Sequence, residues 1–393
     1  MPSTALQKLL ISAFILVILV APLSLAHAES VGQWTSTTKY PLALGGVSCV
    51  AVSTRVYCVG GFGGGGNSHN QVYFATLGSS GIGSWTAGPS YPTNIDSAAC
   101  VNVTAGIYCV GGENYPNNVS VVYFAQTTSS GLGSWSSVAS YPNALAGTSC
   151  VVYSGYIYCV GGFDGSGDEV ASTYYASVSS GLTSWSGTTQ YPLAVDRESC
   201  AVYSGYIYCV AGETAIGSNQ NSPLTSVYSA PLSPSGIGQW TAVQSYPTAL
   251  AALSCAPYSG NLYCVGGFDG NLISSTDAYL GYSSGNQYGG PSVQSLDSWT
   301  DLTQYPVPID SSSCVAALGY VYCIAGNSVS QNSQTLLNPI ASTYYAAISG
   351  ATTQTSTTPE FPATAAIPIT FALGLLAVAV IGRLNKKPEP SKT

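Results

Sequence analysis

The sequence predicts an all-β chain: a six-bladed β-propeller with four antiparallel strands per blade, its N-terminal strand closing the last blade, followed by a C-terminal transmembrane helix. Three observations predict it. A unit of about fifty residues recurs six times. Each unit holds two cysteines nine residues apart across a Ser-Gly-type turn. And the chain opens on a tryptophan strand that lacks a hairpin, while its last unit has a hairpin but no tryptophan strand.

The hairpin comes first in each unit. In the stretch Ser-Cys-Val-Val-Tyr-Ser-Gly-Tyr-Ile-Tyr-Cys-Val-Gly-Gly (149–162), Ser154-Gly155 is a two-residue turn, the loop length hairpins favour. Residues whose numbers sum to 309 then face each other, and Cys150 with Cys159 gives that sum. Counting outward from Tyr153/Tyr156, the cysteines fall on a non-hydrogen-bonded pair, where Cα atoms approach to about 4.5 Å, within reach of a disulfide. The same arithmetic holds for Cys49/Cys58, Cys100/Cys109, Cys200/Cys209, Cys255/Cys264 and Cys314/Cys323. Six local disulfides follow, each worth about 2–3 kcal/mol for so short a loop. No C-x-x-C occurs, which argues against a metal cluster.

The remaining strands follow in order. The third is Tyr/Phe-rich, as in Val72-Tyr73-Phe74-Ala75 and Thr173-Tyr174-Tyr175-Ala176. The fourth is expected to hold the tryptophan: Trp34, Trp85, Trp135, Trp185, Trp240 and Trp299 each precede a first cysteine by fifteen residues. Tyr-Pro falls between them, at Tyr40, Tyr91, Tyr141, Tyr191, Tyr246 and Tyr305. The hairpin strands are apolar on both faces (Tyr158 and Val160 one way, Ile157 and Cys159 the other), as in sheets stacked around an axis. Gln33-Trp34-Thr35 would complete the sixth blade, which ends at Ser342-Thr343-Tyr344-Tyr345-Ala346, and so remove the open edge.

Twelve paired cysteines point to an oxidising compartment. The ends agree. Residues 1–28 read as a signal peptide: Lys8, an apolar run at 9–25, then the Ala26-His27-Ala28 cleavage site. The propeller spans 29–348. Residues 349–362 form a Ser/Thr-rich stalk, 363–382 an apolar run long enough to span a bilayer, and 383–393 a basic tail expected inside the cell. Between the ends the only cations are Lys39, Arg55 and Arg197, whereas all sixteen acids but Glu360 and Glu389 lie there. Nucleic acid is therefore a poor partner. Asn102-Val103-Thr104 and Asn118-Val119-Ser120 are N-glycosylation sequons.

Gly161-Gly162, Tyr174 and Trp185, repeated at similar steps over residues 33–347, resemble the kelch repeat. The resemblance implies a propeller and no single function, since that scaffold carries both enzymes and binding modules. Ala211-Gly212, Ala325-Gly326, the added cysteines and the longer spacings of blades four and five depart from it. Pro359-Glu360-Phe361-Pro362, with the apolar run and basic tail, resembles the archaeal PEF-type sorting signal. That resemblance implies cleavage near the motif by an archaeosortase; a permanent single-span anchor is the other reading.

Chemistry is expected where links between blades meet the loops after the glycine pairs. The residue four before each first cysteine pairs with the one four after the second. Blades two, four and six give Asp96/Glu113, Asp196/Glu213 and Asp310/Asn327; blades one, three and five give Gly45/Phe62, Ala146/Phe163 and Ala251/Phe268. A small residue opposite phenylalanine is steric complementarity. Opposed carboxylates repel, and a shared proton or a hard cation relieves them, which makes the six residues of the even blades candidate Ca²⁺ ligands. The competing reading has the Asp side chains capping turns and the Glu side chains in solvent. Asp164, Asp168, Glu169 and Asp269 read as acidic turn residues, and insertions at 214–223 and 281–296 lengthen opposite faces.

Enzyme readings are poorly supplied. His69 is the one histidine after the leader, so His-dependent triads, and the copper site of kelch-type oxidases, lack ligands. Two arginines cannot build a tetrad for acidic sugars. Paired carboxylates keep a glycosidase open. The expectation is a surface-anchored binding, adhesion or envelope module for glycans or proteins, with a carbohydrate-active enzyme or a purely structural coat as alternatives.

Overall fold

A computed structural model describes residues 30–216, 219–283, 296–331 and 337–349. The segments expected to be a signal peptide (1–28) and an anchor helix (363–382), most of the expected stalk and the basic tail lie outside them. Among the described residues no helix is long and apolar enough to cross a membrane.

The described chain is all β: six antiparallel sheets form six blades. The inner strands are Ser48–Val52, Ala99–Val103, Ser149–Tyr153, Ser199–Tyr203, Ser254–Tyr258 and Ser313–Ala317. Each neighbours the next, and the sixth neighbours the first, so the ring is closed. The expected register holds in every blade: Cys49 stands opposite Cys58, Cys100 opposite Cys109, Cys150 opposite Cys159, Cys200 opposite Cys209, Cys255 opposite Cys264 and Cys314 opposite Cys323. All six of these pairs are disulfide-bonded, with Cα–Cα distances of 4.0–4.1 Å. Ser154 and Gly155 both take positive φ (48° and 80°), the geometry a two-residue hairpin turn needs.

The N-terminal segment closes the ring as expected. Thr35 and Ser36 pair with Tyr345 and Tyr344, and Ser30 and Val31 with Ser349 and Ile348, all on the last long strand, Pro339–Ser349. The fourth strands depart from expectation. Trp135 and Trp299 lie within Gly131–Ser137 and Ser298–Asp301. Trp34, Trp85, Trp185 and Trp240 instead stand just ahead of two-residue strands such as Thr86–Ala87. Whether or not it lies in a strand, each indole serves a tertiary contact. In all six blades Nε1–H donates to the carbonyl two residues ahead of a Tyr-Pro tyrosine, as from Trp185 to Ala139 and from Trp34 to Thr303. The indole packs edge-on to that tyrosine at 4.8–5.0 Å between centroids. The six tyrosines are buried, and burial raises their phenols well above the ordinary range.

Two further sets of hydrogen bonds tie the blades together. Gly46, Ser97, Gly147, Arg197, Ala252 and Ser311 all have φ between 49° and 65°. Each donates its backbone N–H to the carbonyl of the preceding member, and Gly46 donates to Ser311, closing a ring of six hydrogen bonds of 2.8–3.1 Å. Beside it, at five of the six blade junctions, the serine before a first cysteine accepts the N–H of the next blade's first cysteine, as from Cys200 to Ser149 (2.9 Å); Ala99 stands at the sixth.

The two cysteines of each bridge have different surroundings. The six first cysteines line an axial opening of about 520 Å³ towards the hairpin-turn end. The second cysteines, Cys58, Cys109, Cys159, Cys209, Cys264 and Cys323, are fully buried behind them and pack in the cores between blades. The twelve sulfurs are thus structural: each bridge ties the lining strand of the axis to the buried strand behind it.

Candidate functional site

The other end of the axis is the mouth, and the register that places the cysteines also builds it. After each second cysteine come two residues of positive φ, such as Gly111 and Gly112 (59° and 104°). Two left-handed residues in succession kink the strand without shifting its count, so the next residue again faces its sequence-sum partner. Asp96 faces Glu113, Asp196 faces Glu213 and Asp310 faces Asn327; Gly45, Ala146 and Ala251 face Phe62, Phe163 and Phe268. Each acid pair exchanges two backbone hydrogen bonds of 2.8–3.1 Å. The Phe62 ring folds over Gly45, where a Cβ would meet Cζ at 2.5 Å, which is the expected small-opposite-large fit.

The pairs alternate with the phenylalanines around a cavity of about 330 Å³. Its walls include Phe62, Phe163, Phe268, Asp96, Glu113, Asp310, Asn327 and Arg197, with Tyr115 and Leu337 at the rim. Asp196 and Glu213 reach it through Arg197, which pairs with Glu213, lies 3.6 Å from Asp196 and stacks over the Phe163 ring at 5.2 Å. No cysteine borders this cavity.

The three acid sites are partnered in two ways. Asp96 accepts from Ser68 (2.6 Å) and Ser97 (2.9 Å). Asp310 accepts from Ser274 (2.5 Å) and from Asn327 Nδ2 (3.3 Å). Ser68 and Ser274 each stand six residues after a mouth phenylalanine and pair with it across a β-bridge. In the remaining sector both serines are replaced: Glu169 follows Phe163 by the same step, and Arg197 follows Asp196 where Ser97 follows Asp96. Two hydroxyl residues have become two charged ones.

Burial raises the carboxyls of Asp96, Glu113, Glu213 and Asp310; hydrogen bonds from the serines oppose this at Asp96 and Asp310, and Arg197 opposes it at Glu213. Asp196 is pushed up to about 7 by burial, with Glu213 and Glu169 adding to the rise and Arg197 resisting it. Asp196 Oδ1 and Glu213 Oε2 are buried without a hydrogen-bond partner. Among the described residues no group of three or more His, Cys, Asp or Glu gathers closely enough to hold a metal.

Sequence reasoning missed Arg197, Ser68, Ser274, Tyr115 and Leu337, although the six-residue step from phenylalanine was readable. It also missed Glu198, just below the ring of six backbone bonds. Both its carboxyl oxygens are buried without partners, and burial holds its pKa far above the usual carboxylate range. Asp164 and Asp269 are turn residues as expected: Asp164 Oδ1 accepts from Ser166 and Asp168, and Asp269 Oδ1 from Asn271 and Ile273. The insertion at 214–223 forms a hairpin of Glu213–Ile216 with Asn219–Pro223; most of the one at 281–296 lies outside the described residues. His69 pairs with Ile95 through the backbone in an isolated β-bridge. Of the sequon residues, Asn102 is exposed, while Asn118 is half-buried and donates to the Phe163 carbonyl.

No protein-family model matches the chain, and no curated protein matches it either. What fold and site define is a disulfide-stapled six-bladed propeller of the kind suited to an extracellular binding or structural role.

Proposed function

We propose that the protein is a kelch-like binding module displayed outside the cell, taking a glycan or protein ligand at the mouth. It is held there by the stalk at 349–362 and the apolar segment at 363–382, with 383–393 inside and with processing at the PEF motif if that signal is used. The observation that carries the reading is the rim. Among the described residues the exposed large apolar side chains are Tyr115, Leu337 and Leu318, and the first two border the one cavity that also holds buried carboxylates and three phenylalanines. Apolar exposure beside converging polar groups is the usual mark of a ligand site.

Screening the full-length protein on glycan arrays and against envelope proteins tests it. Saturable binding lost in Tyr115→Ala/Leu337→Ala, and kept in Leu318→Ala at a hairpin turn of blade six, supports the module. No binding by the unaltered protein leaves a structural coat. Mass spectrometry of the native protein checks both ends.

Two other readings have an observation behind them. The Asp196 carboxyl near 7 suits a general acid, which favours a carbohydrate-active enzyme; turnover of a glycan abolished by Asp96→Asn or Asp196→Asn would establish it. The unpartnered Asp196 Oδ1 and Glu213 Oε2 favour a hard cation such as Ca²⁺ at the acid pairs. Calorimetric heat on adding Ca²⁺, lost in Asp196→Asn, would support it, and no heat in either protein removes it.

A further inference from the structure

Three sectors of the mouth share one plan, a phenylalanine followed round the ring by an opposed pair of acids or of acid and amide. The sector of Phe163 with Asp196/Glu213 is occupied by the protein itself. The Arg197 guanidinium lies over the aromatic face at 5.2 Å and pairs with Glu213. A cation against an aromatic face beside a carboxylate is a favourable arrangement wherever water is partly excluded. The Phe62 sector with Asp96/Glu113 and the Phe268 sector with Asp310/Asn327 offer the same surfaces to the same cavity. Neither holds a cation of this chain: among the described residues the other Lys and Arg are Lys39 and Arg55, and Arg55 reaches Thr128, Ser129 and the Phe74 ring instead. Asp96, Glu113 and Asp310 therefore stand in a cavity lined by aromatic rings with one guanidinium, that of Arg197, which is already paired with Glu213.

On the reading that the mouth is the ligand face, we propose that its Phe62 and Phe268 sectors bind an organic cation, an alkylammonium group carried by a small amine or by a lysine side chain. The ammonium takes the place beside Glu113 that Arg197 takes beside Glu213, or the place beside Asp310 that Arg197 takes beside Asp196, and its alkyl stem lies along the phenylalanines and the rim residues Tyr115 and Leu337. The cavity of about 330 Å³ is large enough for such a group and at the small end for a whole ligand. An anion is disfavoured by the same carboxylates, and a neutral alcohol gains the apolar contact without the charge.

Calorimetry on the full-length protein tests this, with n-butylammonium, tetramethylammonium, n-butanol and butyrate at matched ionic strength. The expected result is saturable binding of butylammonium, with butanol and butyrate at least tenfold weaker. Glu113→Gln should weaken butylammonium about tenfold, and Phe62→Leu several-fold. Circular dichroism of each variant confirms folding; should Phe62→Leu not fold, Phe268→Leu and Asp310→Asn carry the test. If Nα-acetyl-lysine methylamide binds tenfold tighter than butylammonium, the group comes from a protein partner; equal affinity assigns a free amine. Equal binding of butanol and butylammonium, or no change in Glu113→Gln, overturns the proposal. If a glycan or protein binds through Tyr115 and Leu337 while no ammonium does, the mouth is a ligand site of another chemistry. If nothing binds there, both readings fall.

Discussion

Two of the mouth's acid sites and the third solve one problem differently. In blades two and six a buried aspartate is met by neutral donors: Ser68 and Ser97 at Asp96, and Ser274 and Asn327 at Asp310. In blade four the corresponding positions carry Arg197 and Glu169, and Asp196 is left with one oxygen unpartnered. Hydroxyl donors satisfy a carboxyl locally and cost little to bury. A guanidinium brings charge that must itself be balanced, and Glu213 and Asp196 are the carboxylates beside it. The exchange is reciprocal: neither replacement makes sense alone.

The sharpest way to break the comparison is Arg197→Ser. It strips the cation from Asp196 and Glu213 together and should cost about 2–3 kcal/mol in denaturant unfolding at pH 8, less than a fully buried pair would because over a third of the arginine side chain is open to solvent. Adding Glu169→Ser and Glu213→Asn builds the blade-six arrangement in blade four and should recover most of the loss. A triple variant no more stable than the single one would show the two solutions are not interchangeable.

Glu198 marks the cost of charge on this side of the ring from the opposite direction, since no cation reaches it. Its folded pKa is raised, so the unfolded chain releases the proton first as pH climbs. The stability it contributes is complete below the ordinary carboxylate range and is lost as pH rises from there towards the folded value. Glu198→Gln should therefore stabilise the protein by about 1–2 kcal/mol at pH 8 and leave it unchanged at pH 4. Thermal unfolding at both pH values checks the sign, and an equal gain at both would refute it.

The neutral sites should behave alike. Ser68 Oγ donates to Asp96 and accepts from the Tyr115 N–H; Ser274 Oγ donates to Asp310 and accepts from the Val329 N–H. Ser68→Ala and Ser274→Ala should each cost about 1 kcal/mol, equal within error. The smallest effect is on the ring beneath. Ala252 sits at φ 54° where Gly46 and Gly147 occupy equivalent places, so Ala252→Gly should relieve the left-handed penalty and stabilise by about 0.5 kcal/mol net of chain entropy.

How much of this was legible depended on how local the cause was. The disulfides, from Cys49–Cys58 round to Cys314–Cys323, and the opposition of Asp96 to Glu113, follow from a count outward from a two-residue turn. That count survives the glycine kink because both of its residues are left-handed. Which cysteine of each pair faces the axis and which is buried was not in the count, because it depends on how the blades stack. The tryptophans were legible as landmarks, and Trp135 and Trp299 stand in strands as expected while the other four stand just ahead of them. The indole's partner, the carbonyl two residues ahead of a tyrosine, lies 46 residues away along the chain for Trp185 and was not in the local pattern. Arg197 was visible as one of two arginines in the propeller, but nothing in its neighbourhood along the chain says that its side chain reaches Glu213 and the Phe163 face.

By itself, then, the sequence determined the blade, its covalent rung, the number of blades and the closing of the ring, since each is a matter of period and register along a strand. Only the tertiary structure decided what the mouth contains. Six blades turned about one axis bring Ser68 to Asp96, Ser274 to Asp310 and one guanidinium between two acids, and that convergence is set by the curvature of the ring, which no single repeat encodes.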